Sequence, residues 1–116
     1  MTQKKRLVDI FSQINEAHLA YCPGAPNHVS GILRDLQSGA FFEHSERFQA
    51  EWLSSMEMVY LGRGECIWGL VESGSLPKDF PDEMHLAIMM YLLTFDCYDE
   101  EHKNRLRKRI ADILNK

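Results

Sequence analysis

Twelve consecutive residues, Met84 to Phe95 (MHLAIMMYLLTF), contain no Asp, Glu, Lys or Arg. This run constrains the fold more than any other feature. It is too short to cross a bilayer, which takes about 20 apolar residues in a helix. It is also too apolar to lie on a surface, because a helix that is hydrophobic all round has to be buried. The rest of the chain must therefore wrap around it. The flanks say where this helix starts. Leu76-Pro77-Lys78-Asp79-Phe80-Pro81 reads as a turn, Pro81 suits a first helical position, and Asp82 and Glu83 suit the positive end of the helix dipole. The segment Asp82 to Asp96 is expected to be the central helix.

The wrapping elements follow from periodicity. Leu7, Ile10, Phe11, Ile14, Ala17 and Tyr21 recur in steps of three and four, the spacing of one helix face. A first helix is expected from Gln3 to Ala20. Pro23 and Pro26 end it, because each disfavours helical geometry in the residue before it. Asn27 is a candidate N-cap for a second helix, His28 to Ser38, with Val29, Ile32, Leu33 and Leu36 inward. Gly39 closes that helix, since glycine takes a left-handed C′ position without steric cost. A third helix, beginning near Phe41, carries Phe48, Trp52, Met56 and Tyr60 four apart, with Leu53 and Val59 beside them. Gly62 and Gly64 break it. A short apolar fourth helix, Glu65 to Ser73, ends at Gly74. Asp99, Glu100 and Glu101 open a sixth helix reaching Asn115, with Leu106, Ile110, Ile113 and Leu114 as its buried stripe. No stretch alternates apolar and polar residues for long, and no Asn-Gly or Asp-Gly turn occurs. The expectation is an all-α, single-domain bundle or orthogonal array of about six helices spanning residues 1–116.

The size fits that expectation. A chain of 116 residues with 45% apolar and 26% charged residues buries enough surface for one core without staples. Its N-terminus lacks the uninterrupted apolar stretch of a signal peptide, and its three cysteines (Cys22, Cys66 and Cys97) are odd in number and widely spaced. Reduced thiols in a cytoplasmic protein are expected. ILRDLQSGAF (Ile32 to Phe41) echoes IWGLVESGSL (Ile67 to Leu76), but two helices ending in the same glycine cap produce such an echo by local physics.

Charge is unevenly distributed. Residues 40–83 hold nine acids and three bases, a net −6 within a chain of net −4. Both ends are mildly basic, with Lys4, Lys5 and Arg6 at one and Arg105, Arg107, Lys108 and Arg109 at the other. No familiar catalytic pattern accompanies these charges. HExxH, CxxC, GxSxG and phosphate-loop signatures are all missing. Asp82 with His85, and Asp99 with His102, share the D-x-x-H spacing that puts two ligands on one helix face, but a dinuclear bundle site draws on more carboxylates, and both aspartates stand where helix capping accounts for them. No metal and no cofactor is expected. Cys97, between Asp96 and Tyr98, sits among charges that raise a thiol pKa and blunt its reactivity.

Two binding classes remain, with a small enzyme third. The basic cluster Arg105, Arg107, Lys108 and Arg109 is the footprint a nucleic-acid-binding regulator would use, against a net negative charge. The acidic segment is what would steer a basic protein partner. Glu65, Glu72, Asp79, Asp82 and Glu83 are the candidate partner-binding residues, and nucleic acid and membrane are not expected as partners.

The helix ending Leu36-Gln37-Ser38-Gly39, followed by Phe48-x-x-x-Trp52-Leu53, in a small acidic helical chain, resembles the all-α immunity proteins of bacteriocin and contact-dependent growth inhibition systems. The resemblance covers residues 32–60. It implies a protein without enzymatic activity that binds a toxin domain, often a nuclease, and occludes its active site. The family is diverse in sequence, so no residue carries over as a known contact. The basic C-terminal cluster departs from a uniformly acidic member of that family.

Overall fold

The computed structural model describes residues 2–21, 29–61 and 66–116, with the Cys66 side chain excepted. Among these residues it contains six α-helices: α1 (Gln3–Tyr21), α2 (Val29–Ser38), α3 (Glu46–Leu61), α4 (Cys66–Glu72), α5 (Phe80–Leu92) and α6 (Glu100–Leu114), with a 3₁₀ turn at Phe41–Glu43 between α2 and α3. No strand occurs among the described residues. The expected proline and glycine stops at Pro23, Pro26, Gly62 and Gly64, the Asn27 cap, the His28 helix start and Glu65 lie outside the described residues.

α5 is the central helix. Nine of its residues are buried, among them Met84, Leu86, Ala87, Ile88 and Met89, and it packs against α1, α3, α4 and α6. Its bounds differ from those expected at Asp82 and Asp96. The helix begins at Phe80, so Pro81 occupies its second position. At the other end, Thr94 donates its hydroxyl to the Tyr91 carbonyl at 2.7 Å, and the chain turns there. The Tyr91 carbonyl also accepts from the Thr94 amide at 3.0 Å and the Leu92 carbonyl from the Phe95 amide at 3.1 Å, tighter bonds of the kind that close a helix end.

The first helix presents Leu7, Ile10, Phe11, Ile14 and Ala17 to the core as its spacing demands. Tyr21, expected on the same stripe, is exposed. Two helix ends show the glycine chemistry directly. Gly39 and Gly74 have φ of +86° and +83°, a region other residues enter at about 1–2 kcal/mol. Phe41 and Leu76, two residues beyond each glycine, are both buried. The echo between the two segments is thus a repeated helix stop with a following apolar anchor.

α3 is rotated relative to its apolar spacing. Its buried residues are Gln49, Ala50, Leu53 and Tyr60, whereas Phe48 and Val59 are exposed and Trp52 and Met56 half-buried. Trp52 sits between Phe41 and Phe11, at ring separations of 4.8 and 6.0 Å. That aromatic contact holds the turn, α1 and α3 together and fixes the rotation. The stripe of α6 is narrower than expected as well: Leu106 is buried, Ile110 and Ile113 are half-buried, and Leu114 is exposed. Asp99 caps α6 by accepting from the His102 amide at 2.8 Å, which accounts for that aspartate.

Candidate partner-binding surface

α5 meets α3 through two polar contacts that apolar spacing did not reveal. The first is at Gln49, the one buried polar residue among those described. Its amide nitrogen donates to the carbonyls of His44 and Phe42 at 2.8 and 3.3 Å. Its oxygen accepts from the Tyr91 hydroxyl at 2.5 Å. Burial, and then the Glu46 carboxylate, push the Tyr91 phenol up to about 12. Every member of this network has a partner, so it sews the 3₁₀ turn and α3 onto α5.

The second contact joins three helices. Glu57 on α3 places one oxygen 3.2 Å from Arg109 Nη2 on α6 and the other 3.2 Å from His85 Nδ1 on α5. The arginine contact is a hydrogen bond. The histidine contact is close but lacks hydrogen-bond alignment, and both of its atoms are buried without another partner. Burial alone pushes the Glu57 carboxyl up. The contacts with His85 and then Arg109 outweigh it, and the net direction is downward.

Open depressions lie along this seam. One, about 460 Å³, is lined by Ser54, Glu57, Met58, Leu61, His85 and Arg109. A second, about 340 Å³, shares His85 and Arg109 and extends to Trp68, Asp82, Asp112 and Lys116. A third, about 550 Å³, lies between α3 and the segment after α5, beside Cys97 and Tyr98. There Glu46 accepts from the amides of Asp96 and Cys97 at 3.2 and 3.0 Å. The Cys97 thiol is held above its ordinary value, as its acidic setting led one to expect. Desolvation comes first and Glu46 second, with Asp96 a minor contributor.

The acidic segment spends much of its charge internally. Glu46 caps the loop after α5. Glu51 pairs with Arg47 at 3.3 Å and Glu57 with Arg109 and His85. Asp82 takes Lys116 at 3.0 Å and Glu83 takes Arg6 at 3.1 Å. Asp82 is therefore occupied by a cation from the residues just after α6, not by helix capping. Asp82 and Glu83 are adjacent yet reach opposite neighbours, one toward α6 and the other toward α1. Glu72 and Asp79 are exposed. Of the five candidate residues, Asp79, Asp82 and Glu83 lie at the start of α5 and Glu72 ends α4, and Glu65 is outside the described residues.

What accompanies the acids is aromatic. Trp68 is 41% exposed on α4, and Glu72, four residues on, is its neighbour on the same helix face. The indole N–H donates to the Leu61 carbonyl at 3.2 Å, which fixes the ring against α3. Spacing alone placed Trp68 among the apolar residues of a short helix, and only the packing turns it outward.

The basic clusters are partly consumed as well. Arg6 binds Glu83, and Lys4 lies 5.2 Å above the Phe42 ring. Arg107 binds Glu100 and Asn104, and Arg109 binds Glu57. Arg105 and Lys108 are the exposed remainder of the C-terminal cluster that show no such bond. Among the described residues no group of three or more His, Cys, Asp or Glu is placed to hold a metal ion. The His102 ring, one of the D-x-x-H histidines, instead stacks on Tyr98 at 4.0 Å. No helix among the described residues is long and apolar enough to cross a membrane.

Comparison of the chain with family models, with curated proteins and with solved structures finds no match.

Proposed function

We propose that this chain is an immunity-type protein of the cytoplasm, which neutralises a basic toxin domain, of the nuclease kind, by binding it directly through the surface around Glu72, Asp79, Asp82 and Glu83, with Glu65 as its further member. The observation that carries this reading is the exposed Trp68 set beside Glu72 and close to Asp82. Tryptophan anchors with charged neighbours are the composition of interface hot spots. The surrounding segment keeps a negative balance, which attracts a basic partner over distance and raises the association rate. Occlusion of the toxin's active site needs no chemistry from the chain itself.

The test is charge reversal of Glu72, Asp79, Asp82 and Glu83 to Lys, followed by binding to a panel of basic RNase and DNase domains. The wild type is expected to bind at least one of them, with an association rate that falls as salt rises. The reversed variant is expected to lose that binding while keeping its helical spectrum. Equal affinity of both proteins for every such domain rejects the proposal. Salt-sensitive binding of random-sequence DNA by the wild type would favour a nucleic-acid regulator instead.

A further inference from the structure

We infer that the depression bounded by Trp68, Asp82 and Asp112 is a pocket for a single lysine or arginine side chain of the partner, and that Lys116 of this chain, on its wall, competes for Asp82 in the unbound state. The inference rests on the binding function proposed above and names the point at which the partner is gripped.

The pocket lies where α4, α5 and α6 meet and has a volume of about 340 Å³. Its wall combines an aromatic ring, apolar side chains from Pro81 and Ile113, and the carboxylates of Asp82 and Asp112. This is the combination a long cationic side chain requires. The aliphatic stem of lysine or arginine covers apolar surface while the head group stays with polar partners. A tryptophan face adds attraction for the cation.

The second observation is that a cation already pairs with one of these carboxylates. Lys116 Nζ lies 3.0 and 3.2 Å from the two oxygens of Asp82. Lys116 is itself part of the pocket wall, and its ammonium holds a carboxylate that a guest's head group would use. The Lys116 side chain remains 63% exposed, so this internal contact is an exposed ion pair, and such pairs contribute little. A guest with its own apolar stem and a fixed backbone can replace it. Arg109 and His85 also line the pocket, but both face the Glu57 carboxylate. With Lys116 withdrawn, the uncompensated groups facing the pocket are Asp82 and Asp112, which sets its preference for a cation.

The experiment uses the full chain carrying Trp52→Phe, so that Trp68 is the remaining tryptophan of the two. Its emission is followed during titration with the capped tripeptide Gly-Lys-Gly. The control peptide carries norleucine, which keeps most of the stem and removes the charge. Ionic strength is kept low, where the screening length is about 30 Å. A saturable change is expected with the lysine peptide and none with norleucine. Asp112→Asn, an exposed change on α6, is expected to weaken the lysine response. Lys116→Ala is expected to strengthen it about two- to fivefold, the size of an exposed ion pair removed from competition. Lys108→Ala removes the same charge from α6, outside the pocket, and is expected to leave it unchanged. Equal responses to both peptides, or equal effects of Lys116→Ala and Lys108→Ala, overturn the inference. If nuclease domains bind but Asp112→Asn and Lys116→Ala do not alter that binding, the pocket fails and the proposed function stands. If the pocket takes lysine but no basic toxin domain binds, the pocket stands and the proposed function fails.

Discussion

The two sides of α5 are built on different physics. Toward α1 it meets a mainly apolar face, with Leu7, Phe11 and Ile14 wholly buried against a helix that buries Met84, Ile88 and Met89, and a single ion pair, Arg6 with Glu83, at its partly exposed edge. Toward α3 and α6 it meets a seam where Tyr91 and His85 are tied to Gln49 and Glu57. The apolar side is non-directional and gains from area alone. The polar side depends on each donor finding its acceptor, because an unmatched buried group is costly. The first side provides most of the stability. The second fixes how α3 and α6 are set on the core, and with them the walls of the depressions that face solvent.

Breaking the apolar side is expected to have the largest effect. Phe11→Ala empties a wholly buried site that also supports Trp52. The expected cost is about 3–5 kcal/mol, read as a lower midpoint in chemical denaturation with unchanged slope. Breaking the polar side at its most buried point comes next. Tyr91→Phe keeps the ring packing against Phe42 and Phe95 and leaves the Gln49 oxygen without its donor. A loss of roughly 1–3 kcal/mol is expected, the penalty of an unsatisfied buried acceptor. If Tyr91→Phe is neutral, the Gln49 network contributes orientation alone.

The seam at Glu57 is more open, and its effect is expected to be smaller and dependent on pH. Glu57→Gln is expected to cost about 1 kcal/mol, the upper end for pairs with exposed partners. The folded-state pKa of Glu57 is lowered from 4.5. Its contribution is therefore present above 4.5 and fades as pH falls below that value through the folded pKa. Denaturation curves of wild type and Glu57→Gln are expected to differ at pH 6 to 7, in the neutral range where stability is commonly greatest, and to converge in acid. A difference that grows as pH falls would mean that burial of the carboxyl outweighs its contacts with His85 and Arg109.

The same division explains what could be read from the sequence. Helix number, the central position of α5 and the glycine stop at Gly74 all follow from local rules, namely spacing, charge-free length and backbone sterics. The rotation of α3 does not, because its apolar residues span more than one face. Which of them turn inward is decided by the aromatic contacts of Trp52 with Phe11 and Phe41, which come from distant parts of the chain. The acidic segment was visible as a count, but its pairing was not. Arg6, Arg109 and Lys116 reach Glu83, Glu57 and Asp82 across 34 to 77 residues of sequence, and no spacing rule connects positions so far apart. Trp68 shows the same limit from the other direction, since a short apolar helix gives no sign of which tryptophan face remains in solvent.

The smallest expected effect tests that rotation directly. Phe48 belongs to the four-residue spacing with Trp52, Met56 and Tyr60, yet it is 45% exposed and meets the surface ring of His44 at a tilt, 4.2 Å between centroids. If α3 is set as described, Phe48→Ser removes little buried area, and its effect on stability is expected to stay within about 0.5 kcal/mol, as for surface changes elsewhere. If the apolar spacing governs instead, Phe48 belongs to the core, and the same change costs several times as much, as for a truncated buried aromatic. Paired with Leu53→Ala, which sits at zero exposure on the same helix, the two variants measure the rotation of α3 by denaturation alone: a large loss at Leu53 with almost none at Phe48 is expected, and comparable losses at both would place the Trp52 contact, and the seam built on it, in the wrong register.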